Sequence, residues 1–418
     1  MKPWVWLAAG LVIGADWLRR SLLAGVRMKE LEDLTSPKWD RLPDREPLPS
    51  VTVVVPAKNE ESNIEQCLRS LVTQDYAQLS VCAIDDRSSD NTGAIMDRLQ
   101  REFSERLRVI HITELPPGWL GKTHAMWSGA SQTNSEWILF TDGDIFFRRD
   151  ALRRALAYAE AVHRDFLMLF PKMIMKGFGE KMVLSFFALT SILLVRPWNV
   201  KDRSSKAFVG AGSFNLIRRS GYEELGTYKA LRMEVVDDLM LGKTAKDQGL
   251  ATDCAMAHDL VSVRWAQGAF GVVRNLQKNL FSMMRFSWAL AAGAAVAALI
   301  YHVFPWIAIF VAPGITKVGF ALAVLGIVLL YARVAPIFEV SPWFCLTHPV
   351  AALLFIYALL NSALSSLIHG GVQWRGTTYS LEQIQASNLE SRREGEERRR
   401  NRSAAYTGPE RRKSQPSF

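Results

Sequence analysis

The sequence predicts an α/β domain with a buried sheet, followed by transmembrane helices, and three observations carry that prediction. First, Val51 to Val55 is a β-branched run that leads through a polar loop into helical spacing of Ile64, Leu68 and Leu71. Strand, loop and helix in that order form the first half of a βαβ unit. Second, two further short apolar runs, Leu79 to Ile84 and Ile138 to Phe140, each end abruptly in acidic residues. Third, after Phe286 the chain carries long apolar stretches with few charges.

At 418 residues the chain is long enough for two or three domains and a large core. Its cysteines (Cys67, Cys82, Cys254, Cys345) are scattered without metal-ligand or redox spacing and fit reduced thiols better than a disulfide framework. The histidines show no ligand pairing, so a zinc site is not expected, and His124 reads as structural. The formal net charge is +9, and about half of it lies after residue 389. A basic tail beside apolar helices suits anionic lipid, and no nucleic-acid partner is expected.

Residues 1–28 read as an N-terminal membrane anchor. The apolar run from Pro3 to Leu18 is short for a span and contains Asp16, which is costly in hydrocarbon. Arg19, Arg20, Arg27 and Lys29 follow closely and place the next domain on the cytoplasmic side of the cell (inner) membrane. A signal peptide would carry its basic residues ahead of the apolar run, where only Lys2 lies.

Residues 29–49, punctuated by Pro37, Pro43, Pro47 and Pro49, read as a linker, and 50–270 as the main α/β domain. Pro56 is expected to stop the first strand, and Ser89 or Asp90 to cap a helix running through Leu99. Residues 178–195 are apolar enough for a marginal span but lie inside that domain, so an interfacial helix and a core helix both fit.

Residues 271–370 read as interfacial and transmembrane helices, with spans at 287–311, 318–334 and 349–368 and a potential kink at Pro305. One N-terminal and three C-terminal spans would leave the tail opposite the α/β domain, whereas Arg398, Arg399 and Arg400 favour the cytoplasm. A re-entrant C-terminal segment is one way out. The basic tail, 371–418, is expected to be disordered from about Ser387.

The most informative turn is Thr141-Asp142-Gly143-Asp144. In regular extended geometry Asp142 and Asp144 point the same way, and Gly143 lets the backbone turn or approach a ligand. Two hard oxygen ligands suit Mg²⁺ or Mn²⁺, which takes its other ligands from water and substrate phosphates. The same residues also make an ordinary polar turn. Asp85 and Asp86 can grip a base or ribose, or build a turn and cap a helix. Asp237 and Asp238 precede a helix, where acids complement the macrodipole whatever else they do.

Taken in order, these motifs resemble the inverting family 2 glycosyltransferases over roughly residues 50–270. The resemblance implies a GT-A domain, a single Rossmann-like sheet that binds a nucleoside diphosphate-sugar donor. It implies that Pro56 and Glu60 line the nucleotide, within Val55-Pro-Ala-Lys-Asn-Glu60. It makes Asp86 the base or ribose contact, with Asp85 beside it, and sets Lys122 of Gly121-Lys122 near the nucleotide. Asp142 and Asp144 match the metal motif, with Asp144 the firmer ligand for Mg²⁺ or Mn²⁺.

By the same resemblance Asp238 of the Asp237-Asp238 pair is the general base that deprotonates an acceptor hydroxyl, while Gly210 and Gly212 let backbone approach acceptor or sugar. Lys278 or Arg264 are further candidates to assist the diphosphate. A Gln-x-x-Arg-Trp motif is absent, which argues against a processive polysaccharide synthase. Leu115-Pro-Pro-Gly-Trp-Leu120, the acid pair and the late apolar stretches look like the hopene-associated and carotenoid-type branch, which implies a membrane lipid or polyprenyl-type acceptor. Two other classes fit parts of the pattern: a nucleotidyltransferase, which would attack the α-phosphate, and an inactive scaffold or export component.

Overall fold

Strand β1 (Val51–Ala57) is buried along its whole length and runs through the interior of a seven-stranded sheet. The computed structural model describes residues 3–374 and 377–406. The other strands of this sheet are β2 (Leu79–Asp86), β3 (Leu107–Ile112), β4 (Trp137–Phe140), β6 (Phe166–Phe170), β8 (Asn215–Arg218) and β9 (Thr252–Met256), in the order β3-β2-β1-β4-β8-β6-β9. β1, β2, β3 and β4 run parallel, whereas β8 is antiparallel to both β4 and β6. A smaller sheet places β10 (Val261–Val263) between β5 (Ile145–Phe147) and β7 (Lys172–Met173).

Both faces of the large sheet are covered, which is why its strands read as continuous apolar runs. Val51, Val53 and Val55 pack with α2 (Ile64–Val72), α3 (Thr92–Glu102) and α5 (Ala151–Ala161). Val54 turns the other way, toward α4 (Gly121–Ser131), α7 (Arg219–Glu224) and α8 (Asp237–Asp247).

Pro56 does not stop β1. It stays in register with Ile84 of β2, while β4 pairs only as far as Val54. Beyond Val54 the β4-facing edge of β1 makes no ladder bond, so a residue without an N–H is tolerated there. Asp90 does support the next helix, accepting from the Thr92 N–H at 3.0 Å, although the helix itself begins at Thr92.

The proline-rich stretch 29–49 is docked, not free. Leu34 and Trp39 are buried, Leu34 donates to the Met256 carbonyl (3.0 Å), and Arg154 donates to the Leu34 and Ser36 carbonyls (3.1 and 2.9 Å). The tail also differs from expectation. A hairpin of β11 (Gly371–Trp374) and β12 (Thr377–Ser380) leads into α14 (Leu381–Tyr406), whose Glu390 pairs with Arg232 at 2.6 Å. A buried Ile384 and these polar anchors supply what the composition of the tail alone lacks.

Four described helical segments are long and apolar enough to cross a membrane: Phe178–Asn199, Trp288–Val311, Gly314–Phe338 and Pro342–Ile368. They contain α6 (Phe178–Val195), α10 (Trp288–Ala298) with α11 (Phe304–Val311), α12 (Lys317–Val334) and α13 (His348–Ile368); α9 (Gly268–Met283) precedes them. The N-terminal helix α1 (Pro3–Arg27) runs parallel to α12. A Cβ on Gly14 would collide with the Gly319 carbonyl, and one on Gly326 would lie 2.8 Å from the Trp17 backbone, so small residues set this close approach. Asp16 is neutralised by Arg19 (2.9 Å) and Arg20 (2.6 Å).

The break in the 287–311 stretch precedes Pro305, in a π-helical turn over Leu299–Val303. Pro305 has no N–H to give the carbonyl four residues back, that of Tyr301, and Trp17 donates to that carbonyl instead at 2.9 Å.

Two ion pairs bear on the path of the chain between the apolar helices. After α12, Glu339 pairs with Lys172 on β7 (2.7 Å), so the chain has returned to the α/β domain before α13 begins. After α13, the tail contacts Arg232 of the same domain. The chain thus meets the α/β domain both before and after α13.

Candidate active site

The parallel strands β1, β2 and β4 end at one edge, where open α/β sheets bind ligands. There Asp142, Asp144, Lys122, Asp86, Asp237 and Asp238 are delivered by separate segments. The turn carrying Asp142 and Asp144 is not extended: β4 ends at Phe140, and residues 141–144 carry the chain into β5. The two carboxylates are thus set by a turn, and alternation along a strand does not apply. Gly143 sits against Ile64, Ala57 and the Pro56 carbonyl, with no room beyond ordinary contact.

A second turn is zipped onto the first. Asp142 donates its N–H to the Gly212 carbonyl (2.7 Å), and the Thr141 hydroxyl donates to the Ser213 carbonyl (2.8 Å). A Cβ on Gly212 would strike the Asp142 carboxylate, and one on Gly210 the backbone carbonyl of Asp238. These glycines let backbone approach the two acidic motifs, which is a different use from the contact with sugar or acceptor expected of them.

Lys122 ties the motifs together. Its ammonium lies 2.8 Å from Asp142 and 3.2 Å from Asp237, which also accepts from the Tyr228 hydroxyl at 3.2 Å. Burial opposes the charge on Lys122, but Asp142, Asp237 and Asp238 together raise its pKa above the ordinary lysine value. Burial pushes Asp237 up to about 6 against the pull of Lys122. Asp238 stands next to it at the N-terminus of α8, partly exposed, and is raised by burial in the same way. Asp237 is buried and bonded to both Lys122 and Tyr228, and Asp238 is the more accessible of the pair.

Asp144 is raised to about 7, first by burial and then by the charges of Asp142 and Glu60. Among the described residues no group of three or more His, Cys, Asp or Glu side chains converges as a metal cage. Asp144 and Asp142, with a surplus of negative charge around them, fit a Mg²⁺ or Mn²⁺ ion that takes its remaining ligands from phosphate and water.

Successive residues at the end of β2 face apart. Asp85 faces α3, accepting from the Ser88 N–H (3.1 Å) and contacting His111 (3.1 Å), so it builds the turn. Asp86 faces α4, where a Cβ on Gly121 would collide with it, and is gripped by Arg87 at 2.8 and 3.2 Å. Loop 58–61, which carries Glu60, is clasped to the turn after β2: Glu60 donates its N–H to Thr92 (2.8 Å), and Asn59 accepts from Ser89 (2.8 Å). His124 packs against Trp119 and Trp127 and is a structural residue. Arg264 faces Glu180 (3.4 Å), which also accepts from the Gly268 N–H (2.9 Å), so it joins α6 to α9. Arg87 and Tyr228 escaped sequence reading, since neither stands in a motif.

His111 bridges Asp85 and Asp97, and its hydrogen bond to Asp97, aided by Asp85, raises its pKa. A raised histidine pKa stabilises the fold below the ordinary histidine range, and the contribution is lost as pH rises through the folded value. Thermal unfolding should show this component, below about 1 kcal/mol for so exposed a group. It should vanish in His111→Gln; an unchanged pH profile in that variant would assign the bridge no energetic weight.

A mixed α/β sheet with acidic turns gathered at the carboxyl ends of its parallel strands, one of them an Asp-x-Asp turn, defines a glycosyltransferase domain of the GT-A type. Residues 52–226 match the sequence profile of glycosyl transferase family 2. The profile stops short of Asp237 and Asp238.

Relatives include the 4,4'-diaponeurosporenoate glycosyltransferases of Staphylococcus aureus. The strain USA300 protein is 23% identical over 80% of this chain and 90% of its own length, and that of strain MRSA252 is also 23% identical over the same shares. Among solved structures, the mannosyltransferase PcManGT of Pyrobaculum calidifontis, in complex with GDP-Man and Mn²⁺, superposes with a TM-score of 0.50. It is 19% identical, covering 87% of this chain and 99% of that one, and the likeness is one of fold.

Proposed function

We propose that the protein is an inverting, metal-assisted glycosyltransferase that moves a sugar from a nucleoside diphosphate donor to a lipid or polyprenyl-type acceptor at the membrane. The observation that carries this reading is Lys122, whose ammonium reaches both Asp142 and Asp237, so the metal motif and the acid pair share one site. The complex of the Pyrobaculum neighbour with GDP-Man and Mn²⁺ supports the donor class, and the name of the staphylococcal relatives supports a lipid-type acceptor.

In this reading Asp86 grips the nucleoside, with Pro56 and Glu60 lining it. Asp144 and Asp142 would hold Mg²⁺ or Mn²⁺, which when bound would supply positive charge against the leaving diphosphate. Lys122 adds a fixed positive charge at the same place. Asp238, beside the buried Asp237, takes the proton of the acceptor hydroxyl as it attacks the anomeric carbon opposite the leaving group. The acceptor arrives from the membrane side, where α9 leaves β10, the strand paired with the one that follows Asp144. The active domain faces the cytoplasm, where nucleotide sugars are made.

The test uses full-length protein in native-membrane lipid with Mn²⁺ or Mg²⁺ and a panel of UDP- and GDP-sugars. Metal-dependent nucleoside diphosphate release that rises with lipid extract is the expected result. Pyrophosphate release would identify a nucleotidyltransferase instead. Silence across the panel with no nucleotide bound would indicate a scaffold.

A further inference from the structure

We propose that the segment after the last apolar helix is part of the donor site, with Tyr379 of β12 acting as a positioning residue for the Arg87–Asp86 pair and the amide of Gly121. The inference rests on the reading that Asp86 faces the nucleoside. Tyr379 lies 258 positions from Gly121 in sequence, yet its side chain is buried beside it, packed with Leu120. Its hydroxyl accepts from the Gly121 N–H at 3.3 Å, at the first turn of α4 and one residue before Lys122. That amide stands against the pair itself, since a Cβ on Gly121 would collide with the Asp86 carboxylate and lie 2.9 Å from the Arg87 guanidinium, and the Tyr379 hydroxyl beside them favours the charged form of Arg87.

Arg87 in turn holds both oxygens of Asp86, at 2.8 and 3.2 Å, from a left-handed backbone (φ 56°) that a non-glycine residue adopts only when its surroundings hold it there. Tyr379, Arg87, Asp86 and Gly121 therefore meet at one point on the nucleoside end of the sheet edge.

The hairpin is anchored on both walls of the site. Val372, Tyr379 and Ile384 pack with Leu120, from the loop before Lys122, and with Met233 and Val235, from the segment before Asp237. Those walls are themselves joined, since Leu120 donates to the Arg232 carbonyl (2.8 Å) and Thr123 to the same oxygen (2.6 Å). Arg232 is also the residue that α14 grips through Glu390 (2.6 Å). The chain that comes back from the membrane helices thus braces the nucleoside wall and the acid pair together. A hydroxyl that fixes a guanidinium sets where Asp86 points, and a pre-set polar group lowers the cost of binding.

The experiment measures donor and acceptor KM, kcat and nucleotide Kd (UDP and GDP with Mn²⁺) for full-length Tyr379→Phe, Arg87→Ala and the double variant in lipid. Tyr379→Phe keeps the packed ring and removes only the hydroxyl. Donor KM should rise about five- to tenfold with kcat and acceptor KM within about twofold, corresponding to the loss of one ordinary hydrogen bond. The double variant should be no weaker than Arg87→Ala alone, because Tyr379 acts through Arg87. Unchanged donor KM and Kd in Tyr379→Phe, or full additivity in the double variant, would overturn the proposal. Asp86→Asn separates the two levels of inference: if it leaves nucleotide Kd unchanged, the assignment of Asp86 to the nucleoside fails first, and this proposal with it.

Discussion

Asp238→Asn should abolish transfer while leaving donor binding intact. The substitution keeps the size of the side chain and an oxygen to accept the Leu239 N–H that Asp238 now takes at 2.7 Å, so this local contact in the first turn of α8 is kept. What it removes is the group that can accept a proton from the acceptor hydroxyl. A positioned base of this kind contributes on the order of 10²–10⁴-fold, so kcat should fall by that range. The nucleotide Kd should stay within about twofold, because Lys122 keeps both of its partners, Asp142 and Asp237. Asp237→Asn has a different signature. Asp237 is buried and takes both Lys122 and the Tyr228 hydroxyl, so its variant should lose stability together with activity. Loss of UDP- or GDP-sugar binding in Asp238→Asn would move that residue from base to nucleotide site.

How much of this was legible in the sequence depended on whether the cause was local. The apolar runs ending in acids announced β2, β4 and the edge where the site lies, because a doubly covered strand must be apolar throughout. The acid pair at the start of α8 was legible for the same reason, since helix N-termini are written in nearby residues. Pro56 misled because its tolerance depends on β4 ending at Phe140, opposite Val54, a fact about a neighbour about 80 residues on. The glycines at 210 and 212 were seen, but not that their partners are Asp238 and Asp142. Tyr379 and the α14 contacts left no local signal at all: a charged, polar tail reads as disordered until its partner, Arg232 with Leu120 and Met233, is known. The three late apolar stretches were legible by length and composition, but not that the chain on either side of α13 is tied to the α/β domain through Glu339 and Glu390.

Asp144→Asn should produce opposite effects on catalysis and on metal-free stability. Asp144 sits partly buried beside Asp142 and Glu60, and burial with those like charges raises it to about 7. For an acid whose folded pKa is raised, ionisation costs folding free energy; the cost grows as pH climbs from the ordinary carboxylate range and is complete above about pH 7. The neutral amide removes that cost, so the metal-free variant should unfold at a temperature equal to or above that of the unaltered protein at pH 8, with a flatter pH dependence between 4 and 8. The unaltered protein should gain stability on adding Mn²⁺ with nucleoside diphosphate, in proportion to occupancy, and the variant should lose most of that gain. Transfer should fall by at least about a hundredfold, the scale seen when one fixed electrostatic contact to a developing charge is removed. A residue that merely shaped the turn would behave in the reverse way, with lower metal-free stability and an unchanged shift on adding Mn²⁺. The paired measurement therefore separates a ligand held at an energetic cost from a turn former, which neither activity nor stability alone can do.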